Sequence, residues 1–288
     1  MVLDFKALRP VANYPPYPPY HNGSYIEEYF YNFYLNNRSK FDALNKVLIP
    51  IFWTNLYING IPNNIVQSYV DCLPAGNYFT VCQFDDGIQQ TLPPDTINFV
   101  AGGNKEGIPI PLICSPIPSK YIHDQPKDIF CSFVGTLNDT EKYACRIKLY
   151  EYYSGDKDFY FTEKRAWDRV IANDRLVEFF DITQRSRFTL CPRGYGLQSF
   201  RLYEAIQLNS IPVFVYDKEF LPFKSEINWN DFCVLVHIND ISNLKTVLNG
   251  ISEEKQQRML EKAKQVYKLY FTLEGMCKQI LTILKTIQ

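Results

Sequence analysis

Short apolar runs recur along the chain, each closed by a polar or glycine-bearing break. In the first half they are Val47–Thr54, Tyr78–Phe84, Thr96–Ala101 and Ile108–Cys114; in the second, residues 129–135, Arg187–Cys191, Ile211–Tyr216 and Phe232–Ile238. Runs of this length, apolar on both faces, predict strands of a buried parallel sheet. Between them the pattern turns helical. Ser24–Tyr34 opens on Ser24 with Glu27 three positions on, the spacing of a capping box. Further helices are predicted over Asn63–Leu73, Thr140–Tyr153, Trp167–Thr183, Gln198–Leu208, Asp240–Asn249 and Ser252–Lys285, the last capped by Ser252. The alternation of strand and helix predicts an α/β protein with a mostly parallel sheet.

Two proline-bearing stretches punctuate this pattern. Residues 13–20 cannot be helical and predict extended chain. Residues 115–128 (SPIPSKYIHDQPKD) carry three prolines and predict a linker. They divide the 288 residues into a first domain, 1–120, and a second, 121–288, each long enough for its own core.

The densest chemistry lies in Arg187–Asp217, RFTLCPRGYGLQSFRLYEAIQLNSIPVFVYD, which reads as strand, turn, helix, strand. Gly194 and Gly196 let the turn bend sharply and approach a ligand closely. The helix after it offers backbone N–H groups without helical partners and roughly half a positive charge from its aligned peptide dipoles. Arg193 stands just before it, so the unit is built to hold an anion, most naturally a phosphate. Cys191-Pro192-Arg193-Gly194, Ser199, Arg201, Glu204-Ala205, Ile211-Pro212-Val213, Pro222-Phe223 and Asn228-Trp229 together resemble the exostosin-type glycosyltransferases.

That resemblance implies the GT-B architecture: two Rossmann-like domains facing a cleft, with the final helix crossing back to the first. It also implies inverting transfer of a sugar from a nucleotide-sugar donor, UDP-linked in the leading reading, to a saccharide or glycoprotein glycan acceptor. In such a site Arg193, the Gly194, Tyr195 and Gly196 turn, Ser199 and the Phe200 amide would hold the diphosphate. Gly135 and Thr136 would line the neighbouring loop, with Arg201 and Arg146 in support. Glu204 would hold the nucleotide ribose, since one carboxylate can accept from both hydroxyls. Arg201 and Glu204 also stand three apart on one helix and could simply pair with each other.

The acceptor hydroxyl needs a general base, and its natural place is on the first domain. Asp85 and Asp86, where Tyr78–Phe84 ends, come first; His21 and Glu27 stand behind them. No cofactor and no metal are implied. Asp156-Lys157-Asp158 has the D-x-D form of a metal–diphosphate motif, but it follows Ser154-Gly155 in a polar turn and reads as a solvated loop. His123 and His237 read as ordinary surface or packing histidines. Two rival readings are a non-catalytic carbohydrate- or nucleotide-binding module that kept the fold, and a Rossmann dehydrogenase. The second is weakened because no G-x-G-x-x-G follows a strand near the start.

Composition narrows the partners. A net charge of −1 argues against nucleic acid, whose phosphates call for a basic excess. No apolar stretch reaches the length of a membrane span, and the first residues have no signal-peptide core, so a soluble cytoplasmic enzyme of bacterial or viral type is expected. The eight cysteines are scattered with no C-x-x-C pair, which predicts buried free thiols. Sequons at Asn22, Asn37 and Asn138 are those an Asn-rich chain produces by chance.

Overall fold

The computed structural model describes residues 5–12, 24–137, 144–162 and 171–287. His21, and the predicted helix starts at Thr140 and Trp167, lie outside the described residues.

Two all-parallel sheets organise the described chain, giving an α/β fold. The first contains β1 (Val47–Leu48), β2 (Tyr78–Cys82), β3 (Ile97–Val100) and β4 (Ile108–Pro109), side by side in chain order. The second contains β5 (Ile129–Phe133), β6 (Phe159–Phe161), β7 (Ser186–Pro192), β8 (Ile211–Tyr216) and β9 (Val234–His237), in the spatial order β6-β5-β7-β8-β9. Helices α1 (Ile26–Asn36), α2 (Arg38–Asp42), α3 (Trp53–Ile58) and α4 (Asn63–Val70) belong to the first half. Those of the second are α5 (Ala144–Tyr153), α6 (Asn173–Arg185), α7 (Phe200–Gln207), α8 (Leu244–Asn249), α9 (Glu253–Val266) and α10 (Leu273–Thr286).

The second sheet is apolar on both faces, which is why it must be covered on both. Phe188, Leu190 and Cys191 on β7, and Val213, Phe214 and Val215 on β8, are all inaccessible to solvent. Full burial is worth about 1.5–3 kcal/mol for each large side chain of this kind. Helix α7 presents Leu202, Ala205 and Ile206 to the core at helical spacing. The two halves share that core. Helix α10 packs along α1, so Met276, Cys277, Ile280 and Leu284 lie in one cluster with Phe30, Phe41 and Phe79. From the second half, Leu197 and Phe220 likewise join the first half's Ile51, Trp53 and Val100.

Several predicted elements change on folding. The run Val47–Thr54 is not one strand: β1 ends at Leu48, and after Pro50 the chain enters α3, where Trp53 Nε1 donates to Thr80 Oγ1 at 2.8 Å. The capping box shifts by one, because Glu28, not Glu27, accepts the Tyr25 amide (2.6 Å) while Glu27 turns into the core. Only two residues of Ile108–Cys114 pair as a strand; Pro109 and Pro111 have no N–H for a ladder. Strand β6 was not predicted, since three residues at a sheet edge carry no period. The helix expected over Ser252–Lys285 is interrupted by a wide π turn at Tyr267–Phe271 and restarts at Thr272, whose hydroxyl accepts the Gly275 amide at 3.0 Å.

Candidate active site

The strand order of the second sheet reverses at β5, the kind of switch point at which an open α/β sheet offers a crevice. From β5 the chain moves outward to β6, then returns to β7 on the other side of β5, so the loops leaving β5 and β7 diverge. Ligands of open α/β sheets bind at such a switch point, beyond the carboxyl ends of the strands. The β5 loop brings Gly135 and Thr136, and the β7 loop brings residues 193–199. Arg146 from α5 and Arg201 from α7 meet there over the Phe133 ring, their guanidinium carbons 5.7 and 5.4 Å from its centroid. Arg146 donates to the carbonyls of Arg193 (3.1 Å) and Thr136 (3.0 Å), and its Nη2 lies 3.4 Å from where a Cβ on Gly194 would stand. Arg201 Nη1 lies 2.6 Å from the corresponding point on Gly135. The Arg201 guanidinium is also stacked over Phe179 (4.6 Å); its buried Nε makes no hydrogen bond and stands 3.9 Å from a carboxylate oxygen of buried Glu204. Ser199 caps α7, its Oγ accepting the Arg201 amide at 3.4 Å, and Phe200 packs partly buried against the shared core.

Arg193 is placed differently. Its side chain is buried, and every guanidinium nitrogen donates to the protein. Nη1 reaches both oxygens of Asp217 (2.9 and 3.1 Å), Nε the Gly196 carbonyl (3.2 Å), and Nη2 the Tyr195 carbonyl (3.1 Å) and Asn104 Oδ1 (3.4 Å). Burial works to raise the Asp217 pKa, but the Arg193 guanidinium outweighs it and holds the carboxyl below its ordinary range. Register explains the pairing: Pro192 lies opposite Val215, so the residues that follow leave adjacent strands together.

The carboxyl end of the first sheet meets this turn directly. Asn104 Nδ2 and the Tyr195 hydroxyl donate to the two oxygens of Asp86, both at 3.0 Å, and Leu197 donates its amide to the Gly102 carbonyl at 2.7 Å. Asp85 is closer still. A Cβ on Gly196 would stand 2.4 Å from Asp85 Oδ1, and one on Gly102 would stand 2.2 Å from the Asp85 Cα. Glycine at both positions is what permits the approach. Buried Gln198 pins the same loop, donating Nε2 to the carbonyls of Ala101 (2.7 Å) and Ile110 (2.8 Å).

Glu27 stands behind this junction. Oε1 accepts from Thr54 Oγ1 (2.6 Å), the Thr54 amide (3.2 Å) and the Gln83 amide (3.0 Å), while buried Oε2 makes no hydrogen bond. Gln83 returns the contact by accepting the Ile26 amide at 2.9 Å. Burial raises the Glu27 pKa above its ordinary value, against the pull of those donors.

Among known families, the Exostosin GT47 domain matches residues 69–251, more than half of the chain. The chain belongs to the exostosin GT47 family. It is 36% identical over 92 residues to a probable glycosyltransferase of Arabidopsis thaliana, a match covering 32% of this chain and 18% of that protein. A probable glucuronosyltransferase of Oryza sativa subsp. japonica is 31% identical over 148 residues, covering 48% of this chain and 33% of its own length. A probable beta-1,4-xylosyltransferase of Arabidopsis thaliana is also 31% identical over 148 residues, covering 48% and 34%. The matches thus span no more than about a third of these relatives. Two crystal structures, of a GtfA/B complex and of TarM, align at TM-scores of 0.37 and 0.39 with 12% and 10% identity. They cover 72% and 73% of this chain, and 45% and 50% of their own.

The GT47 span holds every described residue of the junction and the crevice from Asp85 to Asp217, but not Glu27. Sequence reasoning passed over Asn104, Gln198 and Asp217. Asn104 and Asp217 each follow a strand end, which is the one local sign they carry. The D-x-D carboxylates sit elsewhere: Lys245 Nζ lies 2.6 Å from Asp156 and 2.8 Å from Asp158. His237, at the end of β9, places Nε2 3.2 Å from the Asp217 carbonyl. No helix among the described residues is long and apolar enough to cross a membrane.

Proposed function

We propose that this GT47 chain is an inverting glycosyltransferase of GT-B type that moves a sugar from a UDP-linked donor to a saccharide or glycan acceptor. The diphosphate would lie at the switch point, between Gly135–Thr136 and the mouth of α7, flanked by Arg146 and Arg201. Arg193 would act there through the turn it shapes, its own charge being matched by Asp217. Glu204 would take the ribose. A carboxylate of the Asp85–Asp86 loop accepts the proton of the acceptor hydroxyl as that oxygen bonds to the anomeric carbon. The bond from the anomeric carbon to the phosphate oxygen breaks, and its electron pair leaves with the nucleoside diphosphate. Charge grows on that leaving group in the transition state, so preset cations and amides lower the barrier more than they tighten ground-state binding.

One observation supports this reading above the others: the acidic pair after β2 abuts the glycine turn that Arg146 also holds, which would put base and leaving group at one locus. With two guanidiniums and helix amides at hand, no divalent ion is required, and Asp156 and Asp158 are already paired to Lys245.

The test is incubation with a panel of UDP-sugars and oligosaccharide acceptors, following UDP release by acid-quenched chromatography. Acceptor-stimulated release supports transfer. Tight UDP binding without turnover would replace it with the reading of a binding module.

A further inference from the structure

Pairing between β3 and β4 stops early. The last pair is Val100 with Pro109, after which the Ile110 amide still reaches the Val100 carbonyl at 3.0 Å. Pro111 has no N–H to carry the ladder on. Beyond that point the backbone of buried Ala101, Ile110 and Leu112 needs partners from elsewhere. One side chain of the opposite half serves all three. Gln198, itself 1% exposed, donates Nε2 to the carbonyls of Ala101 (2.7 Å) and Ile110 (2.8 Å), and its Oε1 accepts the Leu112 amide at 3.4 Å. Oε1 also accepts the hydroxyl of buried Tyr203 on α7, whose ring stands edge-on to Phe271 at 5.0 Å. Both donors of the amide and both acceptor positions are thus used, and the two facing carbonyls fix which end is nitrogen. Gln198 behaves as a peptide unit inserted between two strand ends.

We propose that Gln198 is a positioning residue for transfer, a peptide-like wedge that sets the separation between the mouth of α7 and the loop after β2. The path is short on both sides. The Gln198 carbonyl accepts the Gly194 amide at 3.0 Å, and Ser199, the next residue, caps α7. On the far side Ala101 donates its amide to the Cys82 carbonyl at 2.9 Å, at the end of β2 and three residues before Asp85. Leaving group and acceptor would therefore meet across a gap whose width one buried amide sets. Reacting groups misplaced by about 1 Å can lose about 10²-fold in rate, which makes that width a kinetic quantity. The positioning role rests on the glycosyltransferase reading; the wedge does not.

The experiment joins UDP binding, kinetics and hydrogen exchange on the full chain. Gln198→Met keeps the length and bulk of the side chain and removes its amide. With a UDP-sugar and an acceptor that support turnover, it should lose about 10–10²-fold in kcat per UDP-binding site, the sites being counted by calorimetry. Its Kd for UDP should stay within about three-fold, because the nucleotide would lie wholly within the second half. A variant that is merely less folded loses sites, not rate per site. Exchange at the Leu112 and Leu197 amides should rise about ten-fold or more. Tyr203→Phe keeps the ring and removes one bond to Oε1, so the same changes should appear at about three-fold. If Gln198→Met does not fold, Tyr203→Phe decides alone. An unchanged kcat per site overturns the positioning role, as does a loss confined to UDP affinity. Unchanged exchange at both amides overturns the wedge. If no UDP-sugar turns over in the wild type, the glycosyltransferase reading and the positioning role fall together, while exchange still decides the wedge.

Discussion

The two sheets look alike in direction but differ in order. In the first, β1 to β4 lie side by side as the chain makes them, with no reversal. The second reverses between β5 and β7, the arrangement in which loops leaving neighbouring strands run to opposite sides. The contrast extends to charge: Asp85 and Asp86 follow β2, with buried Glu27 of α1 behind them, whereas Arg146, Arg201 and the Arg193–Asp217 pair gather at the end of the second sheet. On the proposed reading the second sheet would lodge the anionic ligand and the first would set a carboxylate against it. Parallel architecture alone therefore does not distinguish the two halves; the point of reversal does.

The sharpest way to break this contrast is to neutralise the crevice. Arg146→Gln and Arg201→Gln should each lower kcat by about 10²–10³-fold, the usual cost of losing one transition-state donor. UDP release measures it, with thermal melts to check the fold. If both variants turn over normally while Arg193→Gln alone is inactive and fully folded, the anion is held by Arg193 and the crevice has been misread.

A smaller effect tests the acidic side. Glu27→Ala strands three buried donors, and each orphaned group costs about 1–3 kcal/mol, so its urea midpoint should fall well below that of Glu27→Gln. The pH dependence has a definite sign. Burial lifts the Glu27 pKa in the fold above its ordinary 4.5, so the native state holds this proton more tightly than the unfolded chain. Its contribution is fully present below about 4.5 and is lost as pH climbs through the raised value. Urea melts at pH 4.5 and pH 7 should therefore show Glu27→Gln gaining on the wild type at the higher pH. A difference independent of pH would mean that Glu27 titrates alike in the folded and the unfolded chain.

The smallest effect is expected far from the junction. Lys245 hydrogen-bonds to Asp156 and holds its carboxyl below the ordinary range. The double change Asp156→Asn, Asp158→Asn should leave transfer within about two-fold, since an exposed ion pair carries little energy. EDTA should change nothing in either protein. A divalent requirement that disappears with these two carboxylates would move the diphosphate to the D-x-D loop.

Much of this was legible in the chain, for reasons that can be named. Runs apolar on both faces, such as Ile211–Tyr216, announce a covered parallel sheet because period and burial are local properties. The glycine turn between β7 and α7 was legible for the same reason. Partner choice was not. Tyr195 donates to Asp86 across 109 positions, and whether Glu27 or Glu28 turns inward depends on Thr54 and Gln83, which folding alone brings near. Arg193 shows the limit best. Its neighbours in sequence suggest a phosphate ligand, whereas its neighbour in space is Asp217, carried there by the β7–β8 register.

Helix α10 has a consequence for how the protein is made. It supplies Ile280 and Leu284 to the cluster that encloses Phe30, Phe41 and Phe79, although it is translated long after them. The leading half thus leaves the ribosome before residues 273–286 exist to pack on it, so the part of its aromatic cluster that meets α10 is covered last. Domain-by-domain folding during synthesis would leave that seam open until the end of α10 is made. Holding chaperones would matter most between the emergence of Phe79 and that of Leu284.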